Sequence, residues 1–200
     1  MKDIKISGLN FKDLLDISVK IHGHLCPGQV LGVRLSIMGL DKIGIYDPKG
    51  ADRKKLIIYV EIDRCATDAI QSVTGCSPGK RSLKLKDYGK MAATFVNLET
   101  DSAVRILAIE DSKHKAKNYF PEIEDKYKCQ LEAYKIMPDE ELFECKQVKV
   151  KVPEEDMPGR PKRRIQCEKC GEHVQDSRDV NVEGKELCKA CAQGGYYVVV

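Results

Sequence analysis

Apolar residues near the start of the chain recur at helical spacing. Between residues 11 and 21 they fall three or four positions apart, which predicts an amphipathic helix that ends near His22 and Gly23. Pro27 fits the first turn of a second helix, because the N–H that proline lacks would have no helical partner there. This second helix carries small and apolar residues to about Lys42, and its glycines predict close packing against a neighbouring element.

Extended patterns dominate the middle of the chain. A β-branched run at residues 56–62 predicts a buried strand, and a short helix at 67–73 follows it and ends at Gly75. The later predicted elements are strands at 91–98 and 104–109, a surface helix at 112–135 interrupted at Pro121, and an alternating edge strand at 143–152. Because helices and strands do not alternate strictly, the pattern favours an α+β fold over a doubly wound α/β sheet.

A charged stretch with three prolines divides the chain. Residues 153–164 show no apolar periodicity and change from acidic to basic, which predicts an extended linker. We therefore expect an α+β core domain at residues 1–152 and a small cysteine-rich module at residues 165–200.

The C-terminal module contains two C-x-x-C pairs, separated by 17 residues. A C-x-x-C turn places two sulfurs on one side of a bend, and two such bends can close a tetrahedron around a metal ion. The spacing predicts a structural Zn²⁺ site, with residues 180–187 as a hairpin that delivers the second pair. Two disulfides or a redox dithiol are the alternatives. The four predicted ligands are Cys167, Cys170, Cys188 and Cys191.

The composition narrows the class of protein. A chain that is 42% hydrophobic can bury a core, and a net charge of +3 gives no case for a nucleic-acid partner. No stretch approaches the ~20 apolar residues needed to cross a bilayer. The start lacks the apolar segment of a secretory signal, so a cytoplasmic location is expected. In a reducing compartment, clustered cysteines more often bind metal or do chemistry than form disulfides.

The densest chemical segment of the core domain is HGHLCPG, which begins at residue 22. Cys26 occupies the N-cap position of the second predicted helix, where the helix dipole favours a thiolate. The imidazole of His22 or His24 could then act as a base or as a second metal ligand. A network of turn hydrogen bonds with no chemical role is the alternative.

A second cluster follows the first predicted strand. It comprises Asp63, Arg64, Cys65 and Cys76, with a basic loop at Lys80 and Arg81. Residues beyond the carboxyl end of a strand commonly line a site, so we expect this cluster to share one pocket with His22, His24 and Cys26. Nitrogen and sulfur ligands would suit a transition metal, and the basic side chains would favour an anionic ligand. Buried cysteines that only fill space are the alternative, which we favour for Cys129 and Cys145.

Three segments, in the same order, resemble the FmdE family of proteins related to formylmethanofuran dehydrogenase. They read HGHLCPGQVLG from residue 22, DRCATDAIQSVTGC from residue 63, and GKRSL and DYGKMAAT within residues 79–94. The resemblance spans residues 10–150 and extends to the zinc finger that many members carry. The motif residues of the family, carried onto this chain, are His22, His24, Cys26, Cys65 and Cys76.

The resemblance implies an α+β core, usually dimeric, with a C-terminal treble-clef zinc finger. It also implies association with the molybdenum or tungsten enzyme of methanogenesis that reduces CO2 to formylmethanofuran, an oxidoreductase. The chain has no ferredoxin-like run of cysteines for iron–sulfur clusters, so an accessory or metal-handling role is expected.

Three functions remain open at this point. The first is a metal-binding protein of this family. Its core pocket would bind a second transition metal or a small anionic ligand, and its zinc finger would dock another subunit of the dehydrogenase or the second copy of a homodimer. The second is a free-standing enzyme that uses Cys26, with His22 or His24 as base and Cys65 as a further thiol. The third is a purely structural adaptor, without catalysis, whose zinc finger recruits a partner.

Overall fold

The computed structural model describes residues 4–160, 162–198 and 200. The chain forms two compact units that divide between Lys151 and Val152. Among the described residues, no helix is long and apolar enough to span a membrane.

The N-terminal unit combines helices with one mixed sheet. Its helices are α1 (Phe11–His22), α2 (Pro27–Lys42), α3 (Cys65–Thr74), α4 (Ser112–Tyr119), α5 (Lys126–Ile136) and α6 (Asp139–Leu142). Its strands are β1 (Leu56–Val60), β2 (Leu83–Leu85), β3 (Ala92–Asn97), β4 (Ala103–Ala108) and β5 (Phe143–Gln147). The strands lie in the order β2-β1-β3-β4-β5. Of the strand pairs in the described part of this unit, only β1–β2 is parallel, so the predicted α+β class is confirmed.

Both ends of α1 are defined by local signals. Asn10 accepts a hydrogen bond from the Asp13 N–H, and the Asp13 carboxylate accepts one from the Asn10 N–H. At the other end, Gly23 has a φ of +95°, a left-handed conformation that glycine adopts without strain. The helix therefore ends at His22, and this end point sets the position of the His22 side chain in the fold.

Helix α2 lies at the centre of the unit and contacts α1, α3, α5, β3 and β4. A Cβ atom on Gly32 would lie 2.6 Å from the carbonyl oxygen of Ala66 in α3. A Cβ atom on Gly39 would lie 2.4 Å from the ring of Phe95 in β3. The close packing predicted from the glycines is confirmed, since only a missing side chain allows these approaches.

The N-terminal unit differs from the sequence prediction in three places, two in the sheet and one in the helices. Strand β2 was not predicted, because three residues that read Leu-Lys-Leu give too short a pattern. Strand β5 ends at Gln147 instead of continuing to residue 152. The surface helix is two helices, α4 and α5, and the turn between them contains Pro121, where an interruption was predicted.

The described residues of the C-terminal unit form two short hairpins and one short helix. Its elements are β6 (Arg164–Gln166), β7 (His173–Gln175), β8 (Val180–Val182), β9 (Lys185–Leu187) and α7 (Lys189–Gln193). The hairpin predicted at residues 180–187 is the β8–β9 pair. The stretch predicted as an extended linker contains a 3-10 turn at Glu154–Asp156, and the carboxylate of Asp156 lies 3.4 Å from the guanidinium of Arg178.

Candidate functional site

Two helix N-termini meet at the candidate site in the N-terminal unit. Cys26 is the N-cap residue of α2, and Cys65 is the first residue of α3. Gly28 lies between them: a Cβ atom there would be 2.9 Å from the Cys65 Cβ and 3.8 Å from the Cys26 Sγ. The glycine of the HGHLCPG segment therefore leaves the space that lets the two cysteines come together.

The buried side chain of Gln29 connects the three helices around this point. Its Nε2 donates to the carbonyl oxygen of Cys65 at 2.6 Å, and its Oε1 accepts a hydrogen bond from the Ser18 hydroxyl in α1. Gln29 has no exposed surface, so both ends of its amide depend on these protein partners. The amide thus fixes the first residue of α3 relative to α1 and α2.

The imidazole of His22 is oriented by a carboxylate. Its Nδ1 lies 2.8 Å from the Asp68 Oδ2, and its Nε2 lies 4.0 Å from the Cys26 Sγ. Because a carboxylate can only accept, Nδ1 is the donor in this hydrogen bond, and in that tautomer the lone pair of Nε2 faces the Cys26 thiol. A carboxylate behind a metal-ligating histidine acts in this way in many metal sites.

Three donor atoms converge as a result. The ligand atoms of His22, Cys26 and Cys65 all lie within 4.8 Å of one another, and the three residues are half-buried. Burial raises the pKa of the Cys26 thiol, the N–H groups of Gln29 and Gly28 lower it, and the nearby Cys65 raises it. The raised pKa differs from the thiolate expected from the helix dipole alone, because desolvation and a second thiol oppose the dipole. A bound cation would reverse that balance.

Of the other residues expected in this pocket, His24 and Cys76 lie outside the three-residue cluster. His24 is exposed and stacks its ring 4.5 Å from the ring of His22, outside the three-residue cluster. Cys76 follows the opposite end of α3, which at 1.5 Å per residue is about 15 Å from Cys65. Its thiol is buried, where desolvation raises its pKa, and the hydroxyls of Ser82 and Thr74 bond to it.

The basic loop lies beside Cys76, at the end of α3 opposite to Cys65. The Nζ of Lys80 donates to the carbonyl oxygen of Gly75 at 2.9 Å, at the C-terminal end of α3, and Arg81 follows in the same loop. The single expected pocket therefore divides into two places. The physical reason is that the DRCATDAIQSVTGC segment forms a helix, which holds its first and last residues a helix length apart.

Two residues of the site were not predicted, Asp68 and Gln29. For Asp68 a signal was available, because it lies three residues after Cys65 and a helix places such positions on one face. For Gln29 there was none, since its two partners lie in two other helices, α1 and α3.

Four cysteines form the second cluster, in the C-terminal unit. The Sγ atoms of Cys167, Cys170, Cys188 and Cys191 all lie within 4.8 Å of one another. Backbone N–H groups of Cys170 and Cys188 lower the pKa of Cys167 to about 6, whereas the neighbouring Cys188 thiol raises the pKa of Cys191 to about 12. Four converging thiols with one already favoured as thiolate indicate zinc binding.

Sequence models of known protein families match both units of the chain. The sequence model of the family described as "FmdE, Molybdenum formylmethanofuran dehydrogenase operon" matches residues 21–144. The chain belongs to the FmdE family. This match includes every residue of the core cluster, and a model of the prokaryotic dksA/traR C4-type zinc finger matches residues 161–197.

Two individual proteins are similar to this member of the FmdE family. A probable S-adenosyl-L-methionine-binding protein from Archaeoglobus fulgidus is 32% identical over 90% of this chain, which spans 52% of the length of that protein. The crystal structure of a tungsten formylmethanofuran dehydrogenase FmdE-like protein from Syntrophus aciditrophicus matches with a TM-score of 0.62. It is 20% identical, and the match covers 99% of this chain and 100% of the other. At that identity the likeness supports the fold alone.

Proposed function

We propose that the N-terminal unit binds one transition metal ion through His22, Cys26 and Cys65. The observation that carries the proposal is the convergence of two thiols and one imidazole nitrogen within 4.8 Å. Three protein ligands leave one position of a tetrahedral ion open, as in catalytic zinc sites, whereas a four-cysteine site is closed. The N-terminal cluster is therefore the candidate for chemistry, and the C-terminal cluster for structure.

The chain's own residues would prepare this site. Asp68 holds the proton on Nδ1 of His22, which keeps Nε2 free to bind. Gln29 holds Cys65 at the start of α3. The N–H groups at the start of α2 stabilise negative charge on Cys26. A divalent ion bound here would supply a Lewis acid with an open position for a ligand or substrate.

We further propose an accessory role beside a molybdenum or tungsten formylmethanofuran dehydrogenase, the oxidoreductase that reduces CO2. Family membership supports this assignment, and the chain itself lacks the cysteine runs that hold iron–sulfur clusters. In this role the protein would supply or hold a metal ion for the larger enzyme, with the zinc finger as a contact for the other proteins of the complex. A cytoplasmic location would accompany it.

Metal content tests the core site. Purified full-length protein should contain two metal ions per chain, and the Cys26→Ala and Cys65→Ala variants should contain one. Cys76→Ala is the matched control, since this cysteine is buried at the other end of α3 and should leave both ions in place. Equal metal content in wild type and Cys26→Ala would exclude the core site and leave the zinc finger untouched.

A thiol-dependent enzyme is the second candidate, favoured by the order Asp68–His22–Cys26. A carboxylate, an imidazole and a thiol in that order can activate a cysteine nucleophile. Two facts favour the metal instead: the Cys65 thiol lies within the same 4.8 Å cluster, and burial raises the pKa of Cys26.

Alkylation rates separate the two candidates. After removal of metal by a chelator, an activated Cys26 should react with iodoacetamide far faster than the exposed Cys145, and His22→Ala should abolish the difference. Protection of Cys26 only when metal is present, with ordinary reactivity in its absence, would support the metal site.

A further inference from the structure

The loop that follows α3 holds a lysine against the C-terminal end of that helix. The Nζ of Lys80 donates to the carbonyl oxygen of Gly75 at 2.9 Å, and no other acceptor for this ammonium group lies among the described residues. The loop is closed by two hydrogen bonds of 3.3 Å, from the Ser77 N–H to the Ser82 hydroxyl and from the Ser82 N–H to the Ser77 carbonyl oxygen. Lys80 therefore has a defined position, and two of its three N–H donors are available for a ligand.

A second lysine, Lys49, lies against the same end of α3. A Cβ atom on Gly75 would lie 3.0 Å from the Cγ of Lys49 and 3.8 Å from its Cδ and Cε, so the aliphatic part of this side chain covers the glycine. Partial burial and the charge of Lys80 both lower the pKa of Lys49. Two loops that are distant in sequence thus bring two ammonium groups to one residue, Gly75.

The acidic residues near Lys49 in sequence have other partners. Asp47 accepts a hydrogen bond from the Ser7 hydroxyl at 2.8 Å, and Asp52 forms an ion pair with Lys55 at 3.3 Å. In the part of the chain that the structure describes, no carboxylate lies within ion-pair distance of Lys49 or of the neighbouring Lys80. The repulsion between the two ammonium groups is therefore not relieved by an acidic side chain.

Capping of α3 is the structural alternative for these lysines. The C-terminal end of a helix carries partial negative charge, and a lysine there stabilises the helix. Lys80 alone fulfils that role through its bond to Gly75, whereas a second lysine adds repulsion. Like charges held close together are typical of binding sites. The surroundings are basic as well, since residues 79–90 contain one acidic residue, Asp87, and five basic ones, Lys80, Arg81, Lys84, Lys86 and Lys90.

We propose that Lys49 and Lys80 bind the oxyanion group of a small ligand, a phosphate or a carboxylate, at the C-terminal end of α3. Each ammonium group can donate a charge-assisted hydrogen bond to a different oxygen of the ligand. A bound anion relieves the repulsion between the lysines, and the basic surroundings raise the local concentration of anions. This site is distinct from the proposed metal site, because the length of α3 holds it about 15 Å from Cys65.

Titration of the full-length protein with inorganic phosphate, followed by NMR, tests the proposal. The amide signals of residues 75–82 should shift and reach saturation, and sodium chloride at the same ionic strength should not reproduce these shifts. Lys49→Gln and Lys80→Gln should each weaken phosphate binding by about tenfold or more, because each removes a hydrogen bond from a charged donor. Lys54→Gln, which changes an exposed lysine of the preceding loop, is the matched control and should bind like the wild type. Titrations with methyl phosphate and with acetate distinguish a phosphate ester from a carboxylate.

Two further variants separate binding from structure and from the metal. Lys49→Glu should abolish phosphate binding and raise the midpoint of thermal unfolding, because a carboxylate beside Lys80 replaces repulsion by attraction. Cys26→Ala should bind phosphate like the wild type, so the result does not depend on the proposed metal site. Shifts that do not saturate, equal phosphate affinities in Lys49→Gln and Lys54→Gln, or a lower unfolding midpoint in Lys49→Glu would each overturn the proposal.

Discussion

At the scale of single residues, the candidate site depends on side chains that would not bind the metal ion themselves but hold the residues that do. Asp68 orients His22 through a hydrogen bond of 2.8 Å, and Gln29 holds the backbone of Cys65 at 2.6 Å. Outer partners of this kind are responsible for much of the affinity of metal sites. The proposed metal site should therefore be sensitive to changes one layer behind its ligands.

Asp68→Asn should lower the metal affinity of the core cluster by about 10- to 100-fold, because the amide no longer fixes the proton on Nδ1 of His22. The affinity is measured by competition with a chromophoric chelator. Asp68→Glu should restore part of it, since the carboxylate is retained. Asp63→Asn, an exposed neighbour outside the cluster, is the control. Equal affinities for wild type and Asp68→Asn would contradict the role assigned to Asp68.

At the scale of elements, the site depends on how closely α2 approaches α3. At Gly32 an added Cβ would lie 2.6 Å from both the carbonyl oxygen of Ala66 and the Cβ of Ala69. These distances are shorter than van der Waals contact, so the two helices can meet only at a glycine. Their approach is also what brings Cys26 and Cys65 together at the helix N-termini.

Gly32→Ala should reduce the free energy of unfolding of the N-terminal unit by about 1–3 kcal/mol, through overpacking against α3. The sign of this change is informative, because replacing glycine by alanine at an unhindered helix position would raise the free energy of unfolding by ~1 kcal/mol. Urea unfolding followed by circular dichroism gives the change. Gly79→Ala, where a Cβ meets nothing within 4 Å, should be close to neutral. A stabilised Gly32→Ala protein would show that the two helices do not pack as described.

At the scale of the whole molecule, the two units depend on different sources of stability. The N-terminal unit contains a continuous buried core that includes Ile58, Phe95 and Ile106. In the C-terminal unit only Cys167 and Leu187 are buried apolar residues among those described. A segment with so little core takes most of its folding free energy from a metal ion.

Removal of metal with a chelator should therefore unfold the C-terminal unit and leave the other folded. Hydrogen exchange followed by mass spectrometry is the measurement: amides of β6 to β9 should lose protection, while those of β1 and β3 keep it. Cys170→Ser should give the same pattern without chelator. Retained protection in β6 to β9 after complete metal removal would show that this unit is stable without an ion.

Zinc affinity of the C-terminal cluster should rise steeply with pH, because protons compete for the sulfurs. Cys167, with a pKa of about 6, is already a thiolate at pH 7. Cys170 and Cys191 have raised pKa values, that of Cys191 to about 12, so each must lose a proton when zinc binds. Release of at least two protons corresponds to a rise in affinity of about 100-fold or more per pH unit near pH 7. Chelator competition at several pH values measures the slope, and a slope near zero would contradict this set of ligands.

Features that depend on neighbours along the chain could be predicted from the sequence. Two C-x-x-C turns are local structures, so their spacing was sufficient to predict the four-cysteine cluster, Cys167 to Cys191. The end of α1 at Gly23 and the start of α2 at Pro27 are local in the same way. They place His22 and Cys26 on either side of one short turn, which is why their proximity could be predicted.

The distant residues that complete the core cluster are selected by tertiary packing. Cys65 joins His22 and Cys26 because α2 and α3 approach at Gly28 and Gly32, which is a matter of packing between helices. Cys76 belongs to the same sequence segment as Cys65, yet a helix holds it about 15 Å away. Spacing along a chain gives the geometry of a turn or a helix, but the contacts between helices depend on side chains that lie far apart in sequence.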